Sequence, residues 1–165
     1  PIELYHPAFG QFCHGLQLTA PIPKDLLQLT AELLQKLFVI RHLKDDCRWD
    51  IRSILHDLLA ISLVRLVNWD RSVADAVNLC DTPANKMACP AIVKWKGEIG
   101  GGGSDPSVQV SFLHCKIYVL PERAHVLQAS PCLSFIVSIA GPWILVSGAM
   151  FAGKPIIQCL TGYEW

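Results

Sequence analysis

The stretch IVKWKGEIGGGGSDP, residues 92–106, decides how the chain is organised. Branched and aromatic residues over positions 91–99 predict a strand, and its alternation places Lys94, Lys96 and Glu98 on one face. Glycines fill positions 100–103. Ser104 or Asp105 then caps a predicted helix that has proline in its first turn and runs to about residue 119. A charged strand edge therefore leads through a glycine loop into a helix.

The flanking sequence supplies the other elements of one domain. Helical periodicity predicts a short helix near 9–16 and longer helices over 24–42 and 50–60, with a turn at Asp45-Asp46 and Asp50 as a cap. Strands are predicted over 61–69 and 75–80, and three apolar segments follow at 133–140, 143–151 and 155–160. This order predicts the α/β (α+β) class, with a mixed sheet packed against helices. The chain begins without Met and is interpreted as one domain, residues 1–165, of a longer protein.

Composition limits the classes of function. Of 165 residues, 52% are hydrophobic and 17% charged, which excludes a disordered chain. Fourteen basic and fourteen acidic residues cancel, so the net charge does not support nucleic acid as a partner. Residues 130–153 carry no charge, but Gly141-Pro142 at their centre favours two strands joined by a turn over a membrane helix.

The seven cysteines show no CxxC pair and no regular spacing. They are interpreted as reduced and mostly buried thiols, and the protein as intracellular, either cytoplasmic or nuclear. Zinc binding through Cys13-His14 or His114-Cys115 is disfavoured, because adjacent residues point to different faces.

A second carboxylate precedes the charged strand. Asp75 lies among small apolar residues on the preceding strand, and a hairpin would let it reach the face of Lys96 and Glu98. Gln109, one turn into the following helix, can point over the same edge. Carboxylates on neighbouring strands suit Mg²⁺, and a nearby lysine can orient or deprotonate water, as metal-assisted phosphodiester hydrolysis requires. The competing interpretation is an ordinary solvated strand face.

Several motifs resemble a family of fungal proteins, found as N-terminal regions of basidiomycete proteins and in some cases linked to fungal-type protein kinase regions. The resemblance covers most of the chain. It rests on ELYHP at 3–7, KGEIG at 96–100, SDPSVQ at 104–109, CLSF at 132–135, IAGPW at 139–143 and LTGYEW at 160–165.

The family pattern is itself similar to the PD-(D/E)xK nuclease-like arrangement, which implies a nuclease-like core. On that resemblance Asp75 matches the first aspartate, Lys96 the lysine and Gln109 the glutamine. The acid expected two residues before Lys96 is Lys94, whose positive charge would repel Mg²⁺. Glu98 would then have to replace it as the second metal ligand beside Asp75.

Three hypotheses follow. The first is a degenerate nuclease-like domain that serves as a binding or regulatory module, with other domains of a longer chain or another protein as its partner. The second is an active Mg²⁺-dependent nuclease that uses Asp75, Glu98, Lys96 and Gln109. The third is a small interaction or lectin-like protein that forms a homodimer through its apolar C-terminal strands. His56 is interpreted as a surface or partly buried helix residue, and the cluster Trp143, Phe151, Tyr163 and Trp165 as core or interface.

Overall fold

A computed structural model describes residues 1–38, 44–68, 70–81, 87–97 and 104–164. The helices are α1 (Pro7–Gly15), α2 (Lys24–Phe38), α3 (Lys44–Leu59), α4 (Pro106–Val119) and α5 (Ala124–Ala129), with short 3₁₀ turns at Ile2–Leu4 and Pro121–Arg123. The strands are β1 (Val64–Val67), β2 (Val73–Asp81), β3 (Met87–Lys96), β4 (Ser134–Ala140), β5 (Trp143–Phe151) and β6 (Pro155–Cys159).

The six strands form one mixed sheet in the order β1-β2-β3-β4-β5-β6. Every neighbouring pair is antiparallel except β3 and β4, which are parallel and are joined through α4 and α5. A parallel pair needs a long crossover, and here helices supply it. The predicted class, a mixed sheet packed against helices, is confirmed.

Helices cover both faces of the sheet, because alternate strand residues point to opposite sides. Ile92 and Ile136 pack with Val110 and Ile117 of α4 on one side. Val93 lies next to Ile92 but packs with α2 and α3 on the other side. Helix α1 lies near β5, where Phe9 and Met150 form a smaller apolar cluster with Ile2.

Two predictions about the helical hairpin need correction. Asp45-Asp46 is not a turn, and Asp50 is not a cap, because α3 already includes Lys44. Acidic residues are also favourable in the first turn of a helix, so an Asp-Asp pair does not by itself indicate a turn. Asp50 instead accepts a hydrogen bond at 2.9 Å from Lys36 of α2. The end of the predicted 24–42 helix lies outside the described residues.

The uncharged stretch 130–153 forms the hairpin of β4 and β5, which turns at Gly141 with a positive φ of 58°. None of the described helices is both long and apolar enough to cross a membrane. Residues 130–153 form strands because the proline and the many branched side chains disfavour a helix here.

Candidate functional site

The centre of the candidate site is a charge pair between β2 and β3. Ala76 pairs with Val93, and one residue further along the two strands Asp75 meets Lys94. The Nζ of Lys94 lies 3.0 Å from Oδ2 of Asp75, and the Asp75 side chain is only 1% exposed. A carboxylate this deeply buried is costly without a compensating cation, which Lys94 provides.

Two further hydrogen bonds fix the geometry of this pair. Oδ2 of Asp75 also accepts from the backbone N–H of Trp95 at 3.1 Å, and Lys94 donates from Nζ to the carbonyl of Val73 at 3.0 Å. Each charged group therefore bonds to the backbone of the opposite strand. The pair cross-links β2 and β3 at the end of their ladder of paired residues.

Lys96 lies on the same face, two residues further along β3. Its Nζ donates to the backbone carbonyl of Ser104, immediately before α4. Its charge also acts on Asp105 and lowers the pKa of that carboxyl group. The lysine thus links the end of β3 to the start of α4. Glu98 lies outside the described residues.

Asp105, one of the two predicted capping residues, fixes the start of α4. Its Oδ1 accepts from the Ser107 N–H at 2.7 Å and from the Tyr163 hydroxyl at 2.7 Å. Burial works to raise the pKa of Asp105, but the bonds from Ser107 and Tyr163 outweigh it and hold the pKa below its usual value. Gln109 is half-buried one turn later, and its N–H donates to the Asp105 carbonyl in the first helical turn.

The predicted site residues are thus only partly brought together. Asp75 and Lys96 share one face of neighbouring strands, and Gln109 lies on the helix that follows. Within β3, Asp75 contacts the ammonium of Lys94 and the backbone N–H of Trp95. Register, which depends on the pairing of distant segments, determines these partners.

A divalent cation does not fit the arrangement of Asp75 and Lys94. Mg²⁺ requires oxygen ligands at about 2.0–2.1 Å, and the ammonium of Lys94 already lies 3.0 Å from Oδ2 of Asp75. Within the part of the chain that the structure describes, no three His, Cys, Asp or Glu side chains come close enough to hold a metal ion together. That statement includes the two zinc candidates, Cys13-His14 and His114-Cys115.

The thiols and the other singled-out side chains have separate environments. The six described cysteines are free, but only Cys89 and Cys132 are buried, so the prediction of mostly buried thiols is wrong. The reason is that Cys80 and Cys159 lie near the ends of their strands and are exposed. His56 is exposed on α3, as expected for a surface or partly buried helix residue.

Two of the singled-out aromatic residues, Phe151 and Tyr163, have separate contacts. Phe151 stacks on His114 with ring centroids 5.3 Å apart, whereas Tyr163 bonds to Asp105. Trp143 begins β5 and Phe151 ends it, so the two lie at opposite ends of one strand. Trp165 lies outside the described residues.

A buried polar network beneath α4 was not predicted from the sequence. His114 is fully buried, and its Nε2 donates to the carbonyl of Cys132 at 3.0 Å. The Tyr118 hydroxyl accepts from the Cys89 N–H at 2.8 Å, and Ser134 donates to the Cys89 carbonyl at 2.6 Å. The available signal was that His114 and Tyr118 share the inner face of α4 with apolar residues, so their polar atoms need buried partners.

Comparison with protein-family models, curated proteins and solved structures gave no significant match.

Proposed function

We propose that the chain is a degenerate nuclease-like domain that acts as a binding or regulatory module of a longer protein. One observation carries the proposal: the ammonium of Lys94 lies 3.0 Å from the buried carboxylate of Asp75. In the PD-(D/E)xK arrangement that the sequence resembles, the position of Lys94 belongs to an acid that holds the metal together with the first aspartate. Here the protein's own cation neutralises that aspartate.

Electrostatics support the loss of metal-dependent hydrolysis. For Mg²⁺ to bind Asp75, the ammonium of Lys94 would have to leave a carboxylate that is almost completely buried. The two cations would then lie close together in a region of low dielectric, where like charges repel strongly. Lys94 would also give up its bond to the carbonyl of Val73.

The remaining architecture supports a role in binding. Asp75 on β2, Lys96 on β3 and Gln109 on α4 follow one another in the order that the resemblance implies. Lys94 and Lys96 both hold neighbouring backbone, at Val73 and Ser104 respectively. These contacts stabilise the sheet edge. A net charge of zero favours a protein partner over nucleic acid.

The test is calorimetric titration of Mg²⁺ and Mn²⁺ into the wild-type chain and into Lys94→Glu. We expect no binding heat in the wild type. Lys94→Glu places a second carboxylate beside Asp75 and should bind either ion, and its thermal midpoint should rise when the ion is added. The matched control Lys94→Gln removes the cation without adding an oxygen anion and should bind much more weakly than Lys94→Glu.

Metal binding by the wild type that disappears in Asp75→Ala would overturn the proposal and would support the active-nuclease hypothesis with Glu98. This comparison does not need the Lys94→Glu variant to fold, so the proposal stays testable if two adjacent carboxylates prevent folding. A phosphodiesterase assay with single- and double-stranded DNA and RNA on the same samples gives the second readout, with no cleavage expected from the wild type.

A further inference from the structure

Helix α4 is apolar on its outer side as well as on its inner side. Its inner residues pack on the sheet: Val110, Leu113, His114, Ile117 and Tyr118 are all buried. Facing away from the sheet, Val108, Phe112 and Val119 are 45%, 64% and 59% exposed. Cys115 lies between them and is half-buried. The face of a surface helix that lies opposite the core is normally charged or polar.

These four outer residues, Val108, Phe112, Cys115 and Val119, are here called the α4 stripe. They are separated by four, three and four positions, so they lie above one another along one line of the helix. This spacing is that of the apolar seam through which two helices pack. The spacing of the stripe is therefore compatible with packing against a second helix.

We propose that the α4 stripe is a dimerisation surface, on which α4 of a second copy of this chain packs antiparallel about a two-fold axis. The stripe is symmetric about its own midpoint, between Phe112 and Cys115. In an antiparallel pair Val108 therefore faces the partner's Val119, and Phe112 faces the partner's Cys115. A surface that complements itself in this way is what a two-fold interface requires.

Charge around the stripe also suits a second copy. Helix α4 carries no acidic residue, and its one basic residue besides histidine, Lys116, forms a 2.5 Å ion pair with Asp70. In the antiparallel register Ser111 faces the partner's Lys116. The two copies therefore bring no like charges into direct opposition.

The area of this interface indicates a weak dimer. Helix α4 has 14 residues and is about 21 Å long. A helix pair of this length buries on the order of 1,000 Å² in total, the lower limit for a specific interface. We expect a Kd on the order of 100 μM, as found for transient contacts.

The location differs from that expected for a homodimer through the apolar C-terminal strands. Among the described residues of β4, β5 and β6, no large hydrophobic side chain is exposed. The sheet and its helices bury them. The α4 stripe presents three exposed large hydrophobic side chains on a single helix face.

Sedimentation equilibrium of the wild-type chain, from well below to well above the expected Kd, tests the proposal. We expect a reversible monomer–dimer equilibrium that Phe112→Glu weakens at least about tenfold, because the dimer would bury an unpaired charge. The control Leu27→Glu changes an equally exposed apolar residue, 52% exposed on α2, and should leave association unchanged. Circular dichroism checks that each variant folds, and Val119→Glu replaces Phe112→Glu if that variant does not.

Paired charges test the antiparallel register. A mixture of Val108→Glu with Val119→Lys should restore dimers that neither variant forms alone. A mixture of Val108→Glu with Val108→Lys should not, since these positions lie about 16 Å apart along the axis in an antiparallel pair. A wild type that stays monomeric, a dimer unaffected by Phe112→Glu, loss of the dimer in Leu27→Glu, or recovery only in the Val108 mixture would each overturn the proposal.

Discussion

Lys94 and Asp75 lie on neighbouring antiparallel strands with Nζ and Oδ2 3.0 Å apart, and each also bonds to the backbone of the other's strand. The carboxylate is almost completely buried, whereas the lysine side chain is 16% exposed. The two charged groups therefore differ in their access to water. The lysine can reach water by a small movement, but the aspartate cannot.

Removing the cation should consequently destabilise the fold. Lys94→Met keeps the length of the side chain but removes the cation 3.0 Å from the buried carboxylate of Asp75, at a cost of about 3 kcal/mol in the free energy of unfolding. Urea denaturation measures this. Lys94→Arg keeps the charge and should lose less. A Lys94→Met variant as stable as the wild type would show that the ammonium of Lys94 does not stabilise the carboxylate.

The strand alternation that groups Lys94 with Lys96 could be predicted from the sequence, because the period of two is a property of every strand. That Lys94 meets Asp75 could not be predicted from the sequence. That partner depends on the register of β2 against β3, which is fixed by pairing and packing across the whole sheet. The sequence therefore predicts the shared face, but not that Lys94 is a cation 3.0 Å from Asp75.

The helices show the same division between local and distant causes. The Asp105 cap and the start of α4 after the glycines follow local rules, and both are found in the structure. The short helix α5 was not predicted, since its six residues carry little periodic signal. The buried network around His114 was missed for another reason: a polar residue in an apolar helix shows its partners only when the chain is folded.

The Asp105 cap gives a second prediction. Asp105→Ala removes the acceptor for both Ser107 and Tyr163 and should lower the free energy of unfolding by about 1–2 kcal/mol. Asp105→Asn keeps a cap oxygen and should cost less than half of that. Because the pKa of Asp105 is lowered in the folded state, its ionised form favours folding, and this contribution is lost as the pH falls through that pKa.

Denaturation of wild type and Asp105→Ala at neutral and at acid pH measures both effects. The difference between them should shrink in acid, where the carboxyl group is protonated. Tyr163→Phe separates the two hydrogen bonds, because it removes one donor and leaves the Ser107 cap in place. A difference that is constant with pH would contradict the ionised state of the cap.

Gly148 of β5 gives a third prediction, on the docking of α1. A Cβ at this position would lie 2.7 Å from the ring of Phe9, which is completely buried and packs against Phe135 at 5.3 Å. Gly148→Ala should therefore cost about 1–3 kcal/mol in the free energy of unfolding.

Gly15 is the matched control for this substitution. It ends α1, and an added Cβ there would meet nothing within 4 Å. Gly15→Ala should therefore be neutral or slightly stabilising. If crowding by the ring is the cause, Phe9→Leu combined with Gly148→Ala should cost less than the sum of the two single changes. Additive losses in denaturant titrations would rule out that contact.

The last prediction concerns pH and His114. Burial lowers the pKa of His114, and the hydrogen bond to the Cys132 carbonyl only partly opposes this. The folded protein therefore holds the neutral ring, with the proton on Nε2. Its other titratable neighbours do not change charge at neutral pH, because burial raises the pKa of Tyr118 to about 12 and that of Cys132 to about 11.

The lowered pKa of His114 determines how the stability changes with pH. Below the ordinary histidine pKa of 6.5 the unfolded chain binds a proton at this position and the folded chain does not. The free energy of unfolding should therefore be highest above this pH and should fall as the pH drops towards the lowered pKa of the folded state. His114→Phe removes the titrating group, so its stability should change less with pH, whatever its absolute value. His56→Gln is the matched control, because it removes a histidine at an exposed position on α3, away from the buried network. Denaturant titrations across this pH range measure all three slopes, and an unchanged slope in His114→Phe would show that another group carries the dependence.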